Sequence, residues 1–330
     1  MTQAALDVVG IGNAIVDVIA KADDAFLAAN GIEKGAMTLI DTARAEELYG
    51  RMGPGIEMSG GSAANTMAGI ASLGGKGAYI GKVRDDQLGT VFRHDISAIG
   101  VRFETPASNS GAPTARCLIL VTPDAQRSMN TYLGACVELG PEDIDAALIQ
   151  SAQVTYMEGY LFDPPRAKEA FRKAADLAHA AGRKVSLTLS DSFCVGRYRD
   201  EFADLVDRRI DILFGNEHEV KSLYQVDDFD AAVAAVRGRC EIAVLTRSEK
   251  GSVVVTRDAV QAIPAEPVSK LVDTTGAGDL FAAGFLHGYT TGRDLATCAR
   301  IGAIAAAEVI SHIGARPDAS LAELVRARLG

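Results

Sequence analysis

The stretch Asp273-Thr274-Thr275-Gly276-Ala277-Gly278-Asp279 carries the sharpest chemical signal in this chain. Two glycines two positions apart at a helix start let successive backbone N–H groups point one way, and the helix dipole adds to their field. The product is a nest for an anion. Asp279 falls on the first helical turn beside that nest. A carboxylate there can take a proton from a hydroxyl while the N–H groups hold charge developing on a transferring phosphoryl group. The plainer reading is an N-cap, because Asp commonly caps helices.

Further stretches offer matching chemistry. Gly60-Gly61-Ser62-Ala63-Ala64-Asn65 is a glycine loop entering a helix, with a side-chain amide one turn in. Asn65 can donate to and accept from a vicinal diol; its structural alternative is a tight turn followed by a buried, backbone-satisfied Asn. Asp17 follows the first strand in Gly12-Asn13-Ala14-Ile15-Val16-Asp17. Ligands of open α/β sheets bind at the carboxyl ends of strands, so Asp17 is a second diol ligand or else an Asp in a surface turn. Asn216 and Glu219 lie three apart after a strand and share one face of a helical turn. Such oxygen ligands suit hydrated Mg²⁺, and the same spacing also makes a capping box.

Other phosphate and metal motifs are missing. Residues 10–15 lack the third glycine of a dinucleotide fingerprint, and residues 69–77 are no Walker A loop, since Ile70 and Gly77 stand at required Gly and Ser/Thr positions. The five histidines are scattered, which argues against zinc.

The elements that must position these residues alternate. A strand at 6–11 opens the chain, a helix runs near 24–30, and a helix at 63–73 precedes a strand at 77–80 and a helix at 87–99. Stretches 114–121 and 127–133 resemble antiparallel strands joined by a turn at 123–126. From 141 onward, helices at 141–150, 165–181, 200–207 and 228–237 each precede a strand, at 153–158, 184–189, 210–214 and 241–246. That alternation predicts a parallel sheet with helices on both faces. Strands at 252–256 and 259–263 form a hairpin, and Ala/Gly-rich helices at 278–289 and 295–310 close the chain. No linker divides it. The expectation is a single α/β domain over 1–330, with a discontinuous β appendage built from about 13–58 and 102–134.

Composition bounds the function. The chain has 330 residues, enough to bury roughly 75% of its unfolded surface, and a net charge of −10 that disfavours nucleic-acid backbones. Its five cysteines are odd in number and form no C-x-x-C pair, which suits reduced thiols in the cytoplasm. Residues 1–5 show no leader pattern, and no apolar run reaches the ~18 residues of a membrane span.

Together these segments resemble the ribokinase-like (PfkB-type) family of sugar and nucleoside kinases over nearly the whole chain. Residues 60–81 resemble the family's N-terminal signature, 273–284 its C-terminal one, and 216–219 its N-x-x-E motif. The resemblance implies three layers: a central, mostly parallel sheet flanked by helices, under a small β-sheet lid. It implies that Asp279 is the catalytic base and that the N–H groups of Gly276, Ala277, Gly278 and Asp279 form the anion hole. Gly60 and Gly61 then border the acceptor, and Asn216 and Glu219 position Mg²⁺ through water. Residues 246–251, including Thr246 and Gly251, resemble the nucleotide loop, with Ser248 where glycine is usual. Thr275 and the segment 312–316, with His312 and Gly314, complete the ATP site.

Within the family, the N-terminal third is most similar to the adenosine kinase branch, through Gly12-Asn13…Asp17, Asp24-Ala25-Phe26-Leu27 and Arg127-Ser128…Asn130. By that match Asn13 touches the nucleobase, Asp17 and Asn65 the ribose hydroxyls, and Arg127 the phosphates. Tyr160 falls where an aromatic stacks on adenine, with Phe193 as a second; alternatively both are strand-end core residues. ATP and Mg²⁺ are the implied cofactors, with K⁺ a further ion in some members. The implied partners are ATP and a small-molecule acceptor, for a monomer or homodimer. The activity expected is transfer of the γ-phosphate to a primary hydroxyl of a nucleoside, adenosine foremost. The alternatives are a sugar kinase for fructose, ribose or 2-keto-3-deoxygluconate, and a non-catalytic nucleotide- or sugar-binding regulator.

Overall fold

The computed structural model describes residues 4–124 and 126–330. Residues 1–3 and Ala125, the latter within the expected 123–126 turn, lie outside the described residues. The strands are β1 Leu6–Ile11, β2 Ile15–Lys21, β3 Met37–Leu39, β4 Gly55–Gly60, β5 Gly77–Ile80, β6 Arg102–Phe103, β7 Ala115–Val121, β8 Arg127–Tyr132, β9 Ala152–Glu158, β10 Lys184–Thr188, β11 Ile212–Asn216, β12 Ile242–Thr246, β13 Ser252–Thr256 and β14 Val260–Ile263.

Nine strands form the large sheet, in the order β14-β13-β12-β11-β10-β9-β1-β5-β6. The run from β12 to β6 is parallel, and the β13–β14 hairpin closes one edge antiparallel. The order of strands along the chain reverses between β9 and β1, the kind of switch point where α/β sheets open a crevice. The central strands are apolar on both faces because helices cover both. One cluster includes Ile11, Met157, Phe162, Phe171, Leu187 and Leu213; the other includes Val8, Met67, Tyr79, Tyr156, Phe214 and Phe285.

The second sheet has five strands, ordered β3-β8-β7-β2-β4. Its β7–β8 pair is antiparallel, as expected for residues 114–133, but β2 pairs with β7 and β3 with β8 in parallel. Strand alternation sorts β2 into two faces. Val18 and Ala20 pack with Leu27, Leu48, Leu118 and Leu120 on one side, whereas Ile15 and Ile19 join Cys117 and Ile119 on the other. Asp17 shares the second face by parity. Residues 102–103, inside the stretch expected to belong to the appendage, extend the large sheet instead by pairing with β5.

Many acidic residues are helix caps. Asp23, Asp41, Asp86, Asp145, Asp228 and Asp294 each accept an N–H from the first turn of the following helix. Asp145 also explains why the helix expected at 141–150 is broken. A 3₁₀ turn covers Pro141–Asp143, Asp143 takes the Gly140 N–H at 3.0 Å, and the α-helix restarts at Ala146–Ser151. Helices Thr42–Arg51 and Leu321–Leu329 were not among the expected elements.

Candidate active site

The nest forms as its sequence suggests. Gly276 takes a φ of 80°, left-handed backbone that glycine adopts without a Cβ penalty, and the helix Ala277–Thr290 follows. A Cβ on Gly276 would lie 2.8 Å from Ala315 atoms. The Ala277 N–H is turned back onto the Thr274 carbonyl at 3.2 Å. Among the described residues the N–H groups of Gly276, Gly278 and Asp279 have no protein acceptor, so three of the four expected anion-hole donors are free.

The Asp279 carboxylate accepts from Ser62 Oγ at 2.6 Å and from Asn65 Nδ2 at 3.1 Å. Those donors come from helix Ser62–Ser72, which crosses the Asp279 helix closely at Gly69: a Cβ there would sit 2.6 Å from that of Ala283. Burial raises the Asp279 pKa to about 6, the Ser62 and Asn65 hydrogen bonds opposing it. Such a group is largely ionised at neutral pH yet more basic than an ordinary Asp, as a general base requires.

On the other side of the same helix N-terminus lies Glu158, the last residue of β9 at the switch point. It is 1% exposed. It accepts from Ala63 N at 2.8 Å and from Asn13 Nδ2 at 2.6 Å, with Asn13 N at 3.4 Å. Burial pushes its pKa up to about 7. Sequence reasoning missed Glu158 and Ser62 as site residues. A carboxylate ending a central strand was the signal for the first. Asn13, expected at a nucleobase, is 2% exposed and spends its amide on Glu158.

Asp17 sits over Gly60, where a Cβ would come within 2.4 Å of its Oδ2. Burial raises its pKa to about 6, with the guanidinium groups of Arg127 and then Arg316 opposing. Arg316, the end of the segment expected at the ATP site, keeps Nε and Nη2 buried without a partner among the described residues. Arg127 reaches from β8 to ion-pair with Asp273. Asp273 further accepts from Thr275 N and Oγ1, at 3.0 and 2.7 Å, and from Gly314 N at 3.1 Å. The lid, the nest loop and the C-terminal loop thus share one carboxylate.

Asn216 and Glu219 form the capping box that their spacing allowed. Asn216 Oδ1 accepts from the His218 and Glu219 N–H groups, and Glu219 accepts from Asn216 N at 2.9 Å and Nδ2 at 2.5 Å. Burial, reinforced by the negative charges of Asp191 and Asp279, raises the Glu219 pKa to about 7. That field favours a cation. Among the described residues no three His, Cys, Asp or Glu side chains gather into a metal cage. The donor set therefore fits an ion held through water and phosphate oxygens, the way Mg²⁺ is commonly bound.

Thr246 ends β12 beside Asn216. Ser248, where a glycine was the usual residue, takes a φ of 52°, the left-handed backbone a glycine would supply, and Gly251 takes 84°. His312 lies within 3.3 Å of Glu308 and 3.5 Å of Asp318. Tyr160 is 37% exposed, its hydroxyl in the negative field of Asp191, Asp279 and Glu219. Phe193 is 73% exposed with Arg197 over its ring. Neither is a core residue.

Known proteins share sequence and fold with this chain. A model of the pfkB family of carbohydrate kinases matches residues 37–321. A probable sugar kinase protein from Rhizobium etli CFN 42 superposes with a TM-score of 0.92 and 55% identity, covering 98% of this chain and 99% of that one. An adenosine kinase from Sinorhizobium meliloti superposes at 0.91 with 57% identity, covering 98% and 99%. Adenosine kinase of Saccharomyces cerevisiae is 27% identical over 92% of this chain and 94% of its own length.

Proposed function

The chain belongs to the pfkB family of carbohydrate kinases, phosphotransferases acting on hydroxyl groups, and from that premise we propose that it transfers the γ-phosphate of ATP to the 5′-hydroxyl of a nucleoside, adenosine foremost. The carrying observation is the Asp279 carboxylate, held by Ser62 and Asn65 beside three unpartnered N–H groups. Asp279 accepts the hydroxyl proton, and the amides of Gly276, Gly278 and Asp279 hold the charge that builds on the phosphoryl oxygens. Because phosphoryl transfer passes through a loose transition state, positioning and charge stabilisation outweigh deep proton abstraction. Asp17 and the free carbonyl oxygen of Asn65 bind the acceptor's vicinal hydroxyls. Mg²⁺ held through water near Asn216 and Glu219 would neutralise phosphate charge.

The choice of a nucleoside rests on Tyr160 and Phe193, two exposed aromatic side chains that follow the carboxyl ends of β9 and β10. The same crevice without base stacking is a sugar-kinase site, and relatives of this chain include both kinds. An assay of ADP release with adenosine, inosine, guanosine, ribose, fructose and 2-keto-3-deoxygluconate decides. Turnover confined to the sugars removes the nucleoside reading, and no turnover with any acceptor removes catalysis on this panel.

A further inference from the structure

The helix that begins at the nest ends elsewhere. Asp279 lies in its first turn and His287 in its last, about 12 Å apart along the axis at 1.5 Å per residue. At the His287 end, residues of this helix and of helices Leu295–Val309 and Leu321–Leu329 line an open cleft of about 520 Å³. That volume falls in the range of small-molecule sites, roughly 300–1,000 Å³.

The lining has two halves. Arg293, Arg300 and Arg326 stand around the cleft, and none of the three has a side-chain hydrogen bond or ion pair among the described residues. Most other arginines of this acidic chain are spent on carboxylates or carbonyls: Arg328, two residues beyond Arg326, pairs with Glu266. Two nearby acids accept from neutral donors rather than from these arginines. Asp294 caps its helix through Thr297 N and Oγ1, and Asp7 accepts from Lys76 N and Gln153 Nε2. His287 adds a ring Nδ1 that is buried without a partner. The other half is apolar, with Ile301, Val325 and Leu329.

Three arginines that line one cleft and have no hydrogen-bonded carboxylate among the described residues suit an oxyanion with several acceptors. An apolar wall beside them calls for a hydrophobic face on the same ligand. We infer that this cleft is a second ligand site, which takes a small phosphorylated molecule carrying an apolar or weakly polar group. It is separate from the crevice where the phosphoryl transfer is placed, and one helix joins the two.

The test uses the full chain with AMP as probe, measured by equilibrium dialysis. The wild type binds one more equivalent of AMP than a variant combining Arg300→Ala and Arg326→Ala, in which affinity at this cleft drops about tenfold or more. Val325→Trp, which fills the apolar half and leaves the charges alone, removes the same equivalent. Turnover measured without AMP is unchanged in both variants. The readout is a difference of one equivalent, so it holds whether or not AMP also enters the crevice, and it stands apart from the nucleoside reading. Equal stoichiometry in wild type and double variant overturns the site. Inorganic phosphate binding there as tightly as AMP overturns the apolar half of the inference.

Discussion

Arg127 of the small sheet and Asp273 of the nest loop form an ion pair whose two side chains are each 8% exposed. They are 146 positions apart in sequence. The pair fastens the small sheet to the loop that leads into the nest. Removing one member of a buried pair strands the other charge, at about 3–5 kcal/mol. Arg127→Met is therefore expected to destabilise the fold by that order, and Arg127→Met with Asp273→Asn by clearly less than the sum of the two single changes. A double-mutant cycle from denaturant unfolding measures the coupling; additive losses would show that the two side chains do not act on one another.

Asp279→Asn removes the proton acceptor and keeps the shape. Turnover should fall roughly 10²–10⁴-fold with the melting temperature nearly unchanged. The pH profile follows from the raised pKa. Asp279 and Asp17 titrate near about 6 in the folded protein. Both work as anions, so kcat/KM should fall as pH drops through about 6 and level off above it. An acid limb near the ordinary carboxylate value, about 4, would contradict the burial argument.

Arg316→Ala withdraws a positive charge from beside Asp17. The acceptor's KM should rise about tenfold or more, the ATP KM should stay put, and the acid limb should move to higher pH because Asp17 is less well held as an anion. Arg316→Lys restores part of each effect. Equal changes in both KM values would assign Arg316 to general folding rather than to Asp17.

Gly69→Ala inserts a methyl where Ala283 Cβ and Leu280 Cδ1 already stand within 2.6 and 2.7 Å. Overpacking of this kind costs about 1–3 kcal/mol. It also wedges the helix carrying Ser62 and Asn65 away from the helix carrying Asp279. The expected result is a lower melting temperature together with a kcat loss larger than any change in KM, and steady-state kinetics with thermal unfolding check both.

Tyr160→Ala separates the acceptor classes. Stacking of a base on an aromatic ring contributes about 1–3 kcal/mol, so the nucleoside KM should rise roughly 5- to 150-fold while any small-sugar turnover is barely altered. An unchanged KM for adenosine would take Tyr160 out of the acceptor site.

What could be read in advance was local. The nest, its Asp279 and the Asn216–Glu219 box depend on residues a few positions apart, so spacing alone displayed them. The parallel sheet was legible because its strands are apolar runs bracketed by helices. Ser62, Glu158 and the tie of Arg316 to Asp17 were not legible, because each depends on a partner far along the chain: Asp279, Asn13 and Asp17 respectively. Ser62 looks like an ordinary helix-start serine, and Glu158 like the polar end of a strand. The parallel pairing of β2 with β7 was hidden for the same reason, since a turn signal betrays a hairpin but no local signal betrays a crossover.

That pairing sets an order of events at the ribosome. Val16 lies opposite Arg116 and Asp17 opposite Cys117, so β2 leaves the exit tunnel about a hundred residues before the strand it needs. Through that interval its unpaired edge can be satisfied on one side only, by β4. A nascent chain stalled before residue 115 would therefore hold its future lid as a lone two-stranded ribbon, exposed to any chaperone that reads bare strand edges.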